Sequence, residues 1–303
     1  MAGENKTAAI VVSYHPETDR LDRLFDALAT QVGEIFLVDN GSSPDVVSWL
    51  FLQSLENRIQ LLSLGDNFGI GFAQNRGIAF ARDRGHQKFL LLDQDSLPEE
   101  GMVPKLEKAL DGLMQAGTRV GAVGPTRKDE NDPAPVFFLK FDRFPPSRLH
   151  CDAASQIIPV DILISSGMLI PLQAIEEVGV MDERLFIDHV ETEWCLRGLT
   201  RDFRFFAVCE ARIHHRLGNS VARLWIGRWR NMTIHVPLRN YYFVRNSLVL
   251  IRRDYILKQW KRYMAWTLFK FCIRNSFNSP PLTRVFMMTR GIVHAFAGRL
   301  GRL

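Results

Sequence analysis

Two carboxylates at i and i+2, Asp93 and Asp95 of Leu91-Leu92-Asp93-Gln94-Asp95-Ser96, follow directly on the apolar run Phe89 to Leu92. Carboxylates brought together repel unless a cation or hydrogen-bond donors intervene, and a hard divalent ion chelated by diphosphate oxygens is one solution. In continuing strand geometry both would point to one face; the competing reading has Asp95 capping the next helix, with Glu99 and Glu100 in its first turn. A second acidic segment, Leu185-Phe186-Ile187-Asp188-His189-Val190-Glu191-Thr192-Glu193-Trp194-Cys195-Leu196-Arg197, sets three acids among apolar and aromatic residues. On a helix Asp188 and Glu191 share a face, while Glu193 lies nearer Arg197 at i+4. That split gives one carboxylate poised as a base and another in an ion pair. An ordinary amphipathic helix with a salt-bridged polar side is the plain alternative. His214-His215 is a histidine pair, and beside a metal-bound carboxylate His215 is a credible imidazole ligand.

These groups need a platform. Five β-rich runs, Ala8 to Tyr14, Glu34 to Asp39, Ile59 to Leu64, Lys88 to Asp93 and Val120 to Gly124, alternate with helical patterns, which predicts β-α-β units and a mostly parallel sheet. Leu21, Leu24, Phe25 and Leu28 fall at i, i+3, i+4 and i+7, one apolar helical face. Val136 to Phe141 reads as an edge strand between Pro-rich loops, and from Leu238 the pattern is helical, broken at Asn278 to Pro281. Ligands of an open parallel sheet bind outside the carboxyl ends of its strands. Three ends are polar: Ser13-Tyr14-His15, Asp39-Asn40-Gly41-Ser42 and Asp93-Gln94-Asp95. A lone strand-end aspartate is more often a turn-former, so it is the coincidence that points to a site. In Asp66-Asn67-Phe68-Gly69-Ile70-Gly71-Phe72-Ala73-Gln74-Asn75 the glycines let a backbone approach a nucleotide, with Asn67 and Asn75 as hydrogen-bonding groups. This Gly-x-Gly follows the third strand and has Gln74 at the third glycine position, which argues against a nicotinamide dehydrogenase. The absence of GxSxG and HExxH argues against a serine hydrolase and a zinc protease.

With 47% apolar and 23% charged residues over 303 positions the chain is globular, not disordered. Cys151, Cys195, Cys209 and Cys272 are scattered without a CxxC, which predicts neither a zinc site nor a disulfide framework, and a reducing compartment. The start MAGENK lacks a secretory pattern, and Asp161 interrupts the longest apolar candidate, so a cytoplasmic, non-spanning protein is expected. Residues 1–210 carry 20 Lys/Arg against 32 Asp/Glu, whereas 211–303 carry 18 against one, Asp254. The basic end interleaves its charges with Trp260, Trp266, Phe269, Phe271, Phe286 and Phe296, which fits an anionic bilayer surface better than nucleic acid. Alternatively, those rings pack on the rest of the protein and the basic face is merely solvated.

The order VVSYHP, LVDNGS, DNFGIGFAQNRG, LLLDQDS, LISSGMLIP, LFIDHVETEWCLR, HHRLG and PLRNYYFVRN resembles the inverting family 2 glycosyltransferases of GT-A fold. More narrowly it resembles bacterial L-rhamnosyltransferases, which use dTDP-L-rhamnose to build lipopolysaccharide or rhamnolipid. The resemblance implies an α/β fold, a nucleotide-sugar-binding, Rossmann-like, mostly parallel sheet with helices on both faces, followed by an amphipathic helical region. Residues 1–237 would be catalytic, with a nucleotide-sugar half to about 125 and an acceptor half from about 126; 238–303 would be the basic helical region. By the same resemblance Tyr14, Asp39, Asn67, Asn75 and Asp93 would bind the donor, Asp39 reading the pyrimidine and Asp93 meeting ribose or diphosphate. Asp95 and His215 would hold Mg2+ or Mn2+. Glu191 would deprotonate the acceptor hydroxyl with Asp188 nearby, and Ser165, Ser166, Gly167 and Trp194 would lie near sugar and acceptor, although both serines could equally be packed strand residues. The implied partners are dTDP-L-rhamnose, a glycolipid or lipopolysaccharide-core acceptor and the anionic inner face of the cytoplasmic membrane, with no nucleic acid. A transferase of the same fold using another nucleotide sugar, and a non-catalytic nucleotide or nucleic-acid binder, are the alternatives.

Overall fold

The computed structural model describes residues 7–128, 137–151, 156–215, 221–225, 229–233 and 236–303. Its first half is the expected alternation: β1 (Ala8–Ser13), α1 (Thr18–Ala29), β2 (Glu34–Asp39), α2 (Pro44–Leu55), β3 (Gln60–Ser63), α3 (Ile70–Asp83) and β4 (Lys88–Asp93). The strands are continuous apolar runs because both faces are covered. Ala8 and Ile10 enter the core on one side of the sheet, Ala9 and Val11 the core on the other. Leu21, Leu24, Phe25 and Leu28 of α1 are all buried against that second face, each contributing about 1.5–3 kcal/mol by removal from water.

Then come β5 (Ser96–Pro98), α4 (Met102–Gln115), β6 (Val120–Lys128), β7 (Phe138–Lys140), β8 (Ser147–Leu149), β9 (Ile157–Val160), β10 (Met168–Pro171), α5 (Leu172–Val178), a 3-10 turn at Glu183–Leu185, α6 (Val190–Leu199), β11 (Arg204–His215), β12 (Val221–Trp225) and β13 (Trp229–Thr233). The main sheet runs β3-β2-β1-β4-β10-β6-β11-β5, with β9 beside β11. β1, β2, β3, β4, β6 and β11 share one direction, so the sheet is mostly parallel, and β10 lies antiparallel between β4 and β6. The edge strand expected at Val136 to Phe141 is instead β7, paired with β8 in a small sheet of its own; residue 136 lies outside the described residues.

A disulfide joins Cys151 to Cys209, 58 residues apart. The sequence predicts no disulfide framework, and this bond is a departure from that expectation: the pairing is made by tertiary approach of the segment after β8 to β11, which no local spacing announces. Cys195 and Cys272 are free.

The C-terminal helices are α7 (Pro237–Arg252), α8 (Lys258–Ser276) and α9 (Pro281–Phe296). The sequence boundary at 237/238 falls at the start of α7, but the helices share the catalytic core: Trp260 and Met264 of α8 are buried in the same cluster as Trp194 and Phe205. Arg253 joins the two parts electrostatically. It bonds Asp182 and reaches Glu193 Oε1 at 3.2 Å. Burial works against the charge of Asp182, yet Arg184 and Arg253 together hold its carboxyl down to about 2. Among the described residues no helix is long and apolar enough to cross a membrane.

Candidate active site

The site lies at the carboxyl ends of β1, β2 and β4, where the parallel half opens. Asp93, the last residue of β4, accepts hydrogen bonds from Ser166 Oγ and, at 3.5 Å, from Ser165 Oγ. The serines arrive there because Gly167, at φ +87°, donates its N–H to the Leu91 carbonyl at 2.8 Å. A Cβ at Gly167 would stand 2.5 Å from Pro125 Cγ, so the Ser-Ser-Gly turn tolerates only glycine there. The strand stops at Asp93, and Gln94 and Asp95 form a turn into β5. Asp95 therefore neither continues the strand face nor caps a helix, because α4 begins only at Met102 behind Gly101. Gln94 Oε1 accepts the Tyr14 N–H at 2.7 Å, tying the β1 and β4 ends together, and the Tyr14 ring is exposed.

Asp39 is fully buried; its oxygens accept from Ser13 Oγ at 3.3 Å and from the Gly41 and Ser42 amides at 3.3 and 3.1 Å. It shapes the turn that would face a nucleotide. Asn67 accepts from Asn40 Nδ2 at 3.1 Å and from the Gly69 amide at 3.0 Å. Asn75, expected to meet the donor, is turned elsewhere: it donates to Met181 O at 3.0 Å and Glu183 Oε1 at 2.8 Å, and accepts the Met181 N–H at 2.9 Å. Both ends of its amide clamp α3 to the turn before the acidic segment.

In that segment α6 starts only at Val190. Asp188 and His189 precede it with φ of 63° and 65°, so Asp188 and Glu191 do not share a helical face as expected. Asp188 is paired with Arg239 of α7, Nε to Oδ1 at 3.0 Å and Nη2 to Oδ1 at 2.9 Å. Glu193 makes the expected pair with Arg197, at 2.9 Å. Glu191 is left as the partly accessible carboxyl. Burial pushes it up to about 7, the charges of Asp93 and Asp188 add to the rise, and Arg239 opposes it. Burial works against the charge of Arg239, and Asp188, Glu191 and Asp93 more than offset this. Asp93, Asp188, Glu191 and Arg239 therefore form one electrostatic unit, with a carboxyl suited to take a proton near neutrality.

Trp194, expected beside sugar and acceptor, belongs to the core instead: it is fully buried, its Nε1 donates to Gly179 O at 2.7 Å and its ring packs edge-on against Phe205. A large ring with its one donor satisfied has nothing left for a ligand. Arg239 was missed by sequence reasoning. Its signal was the string Pro237-Leu238-Arg239-Asn240, polar residues on a helix otherwise set to be buried.

Backbone register sets the positions of Asp95 and His215, the residues expected to hold Mg2+ or Mn2+, close to each other. β5 and β11 pair with His215 opposite Ser96, beside Asp95. The His215 side chain lies outside the described residues, and among the described residues no three His, Cys, Asp or Glu gather as a metal cage.

The strand-end Asp93, the Ser-Ser-Gly turn that bonds it and the raised Glu191 carboxyl make one polar cluster on a mostly parallel sheet. The chain belongs to glycosyl transferase family 2, whose profile it matches over residues 9–161. It is a glycosyltransferase. It is 30% identical over 250 residues, 82% of this chain and 80% of the relative, to the dTDP-rhamnosyl transferase RfbF of Shigella flexneri. Among solved structures it is similar to GalNAc-T7 with UDP, GalNAc and Mn2+, at TM-score 0.57 and 12% identity, covering 92% of this chain and 59% of that one. It is also similar to the mannosyltransferase PcManGT of Pyrobaculum calidifontis with GDP-Man and Mn2+, at TM-score 0.55 and 11% identity, covering 98% and 88%. These likenesses carry the fold, which is of the GT-A type.

Proposed function

We propose that the chain transfers L-rhamnose from dTDP-L-rhamnose, with inversion, to a hydroxyl of a lipopolysaccharide or other glycolipid acceptor. The observation that carries this reading is Glu191, a partly accessible carboxyl pushed up to about 7 in the same electrostatic unit as the strand-end Asp93. The likeness to a dTDP-rhamnosyl transferase supports the choice of donor. Tyr14 and Asn67 line the nucleotide side, buried Asp39 shapes the turn between them, and Asp93, held by Ser165 and Ser166, meets ribose or diphosphate. Asp95 and His215 would hold Mg2+ or Mn2+, whose charge when bound favours the diphosphate as leaving group. Glu191 takes the proton of the acceptor hydroxyl as its oxygen forms a bond to the anomeric carbon. The bond from that carbon to the diphosphate oxygen breaks on the opposite face, and the electron pair leaves with dTDP. Incubation with dTDP-L-rhamnose, Mg2+ and truncated lipopolysaccharides should release dTDP and yield a rhamnosylated product. Equal turnover of UDP- or GDP-sugars would overturn the choice of donor.

The acceptor reading places the protein on the inner face of the cytoplasmic membrane. In the basic region Trp260 is buried, but Trp266, Phe269 and Ile273 of α8 and Phe277 just after it follow one another as an exposed stripe. Leu282, Phe286, Val293 and Phe296 do the same on α9, and exposed Lys270, Arg290 and Arg299 flank them. Rings at the acyl boundary with cations beside them suit anionic headgroups. The intact protein should float with anionic liposomes at low salt, and a Trp266→Ala, Phe269→Ala, Phe286→Ala variant should stay behind. Equal recovery of both would sink the membrane reading.

A further inference from the structure

Between Leu185 and Val190 the chain holds three residues that are not glycine at positive φ: Phe186 at 67°, Asp188 at 63° and His189 at 65°. Each costs roughly 1–2 kcal/mol, and such a loop persists only where its surroundings over-determine it. Helix α7 supplies the surroundings through residues at i, i+3 and i+7, one stripe of a 3.6-residue helix. Arg239 grips Asp188. Tyr242 stacks on Phe186, with ring centres 5.0 Å apart and planes inclined by 18°. The Asn246 amide donates to three carbonyls, Leu185 O at 2.9 Å, Ile187 O at 2.7 Å and Asp188 O at 3.0 Å.

The neighbours of Asn246 fix it in turn. Arg245, fully buried, donates from Nε to Asn246 Oδ1 at 2.9 Å, so the amide cannot flip, and from Nη2 to Leu185 O at 2.9 Å. Ser247 Oγ lies 2.9 Å from His189 Nε2, and burial holds that imidazole down to about 4, so it is neutral at physiological pH. Glu191 sits two residues beyond His189, in the first turn of α6.

We infer that Asn246 is a positioning residue of the transfer reaction: by fixing the 185–189 loop it sets where the Glu191 carboxyl stands relative to the acceptor hydroxyl. The inference rests on Glu191 acting as the base. Tyr14 follows β1, Asp39 ends β2, Asn67 lies in the β3–α3 loop and Asp93 ends β4, while the Asn246 side chain bonds Arg245, Leu185, Ile187 and Asp188. Phe186 O also accepts the Ile70 N–H at 2.7 Å, a backbone bond that Asn246 does not make; releasing the Asn246 bonds to Leu185, Ile187 and Asp188 therefore acts first on the chemical step. A displacement of about 1 Å at a reacting group is enough to cost on the order of 100-fold in rate.

Asn246→Asp keeps the shape but sets a carboxylate, which cannot donate, against three carbonyl oxygens. Hydrogen–deuterium exchange, dTDP binding by calorimetry, and kcat and donor KM across pH are measured on the full chain. The expected result is faster exchange confined to 185–193, dTDP affinity and donor KM within about twofold of wild type, and kcat down by about tenfold or more. The acidic limb of the kcat profile should also move to lower pH, because water reaches the loosened Glu191. Unchanged exchange at 185–193, or kcat and dTDP affinity falling together, would overturn the inference. If Asn246→Asp does not fold, Ser247→Ala, which releases only His189, decides by the same measurements, with a smaller change of the same kind expected and no change overturning it. A wild type that binds dTDP but leaves dTDP-L-rhamnose untouched would defeat the donor assignment alone, since the exchange measurement needs no turnover.

Discussion

Replacement of Glu191 by glutamine is expected to lower kcat by about 100-fold or more with donor affinity unchanged. Glutamine keeps the size and the hydrogen-bonding reach of the side chain but cannot accept the hydroxyl proton. The wild-type profile carries the sign of the effect. The base works deprotonated, and burial raises its carboxyl to about 7, so kcat should climb as pH rises through that region and level above it. In Glu191→Gln that limb should vanish along with the rate. Asp188→Asn should hurt less, since Asp188 is already paired with Arg239. A reversed ranking of the two variants would make Asp188 the base.

The second large effect is expected at Asp95. Asp95→Ala should abolish transfer, because the departing diphosphate would lose a charge partner whose contribution to the barrier is several kcal/mol. Chelation of the wild type with EDTA should reproduce the loss, and added Mg2+ or Mn2+ should restore activity in the wild type but not in the variant. Full activity in excess EDTA would show that the turn after β4 does not work through a divalent ion.

The parallel half of the sheet was legible because Ala8 to Val12, Ile35 to Val38 and Phe89 to Leu92 are uninterrupted apolar runs bounded by polar ends, the pattern of strands covered on both faces. β9 and β10 were not. Each has four residues and a proline, and each finds its partners only in strands distant along the chain. The acidic segment was legible by composition but not by geometry. The left-handed backbone at Asp188 and His189 is imposed by contacts from α7, more than 50 residues downstream, so a uniform helical projection placed Asp188 wrongly. Trp194 misled because an indole beside acids reads equally as a sugar platform or a core residue, and the Gly179 carbonyl that settles the matter is visible only in three dimensions. The strings carrying Asp93, Ser166 and Glu191 were short and polar amid apolar sequence, and folding draws them together.

The antiparallel strand β10 also has a bearing on the order of assembly. Residues 88–93 and 120–128 are neighbours of β10 and do not pair with each other. On a ribosome the parallel half is complete once β4 has emerged, yet its β4 edge has no partner until residues 168–171 follow. An unpaired edge beside a buried apolar strand invites pairing with another chain. A chain that formed its parallel half first would hold the β4 edge open until Met168–Pro171 inserted, and that insertion both closes the seam and brings Ser166 onto Asp93.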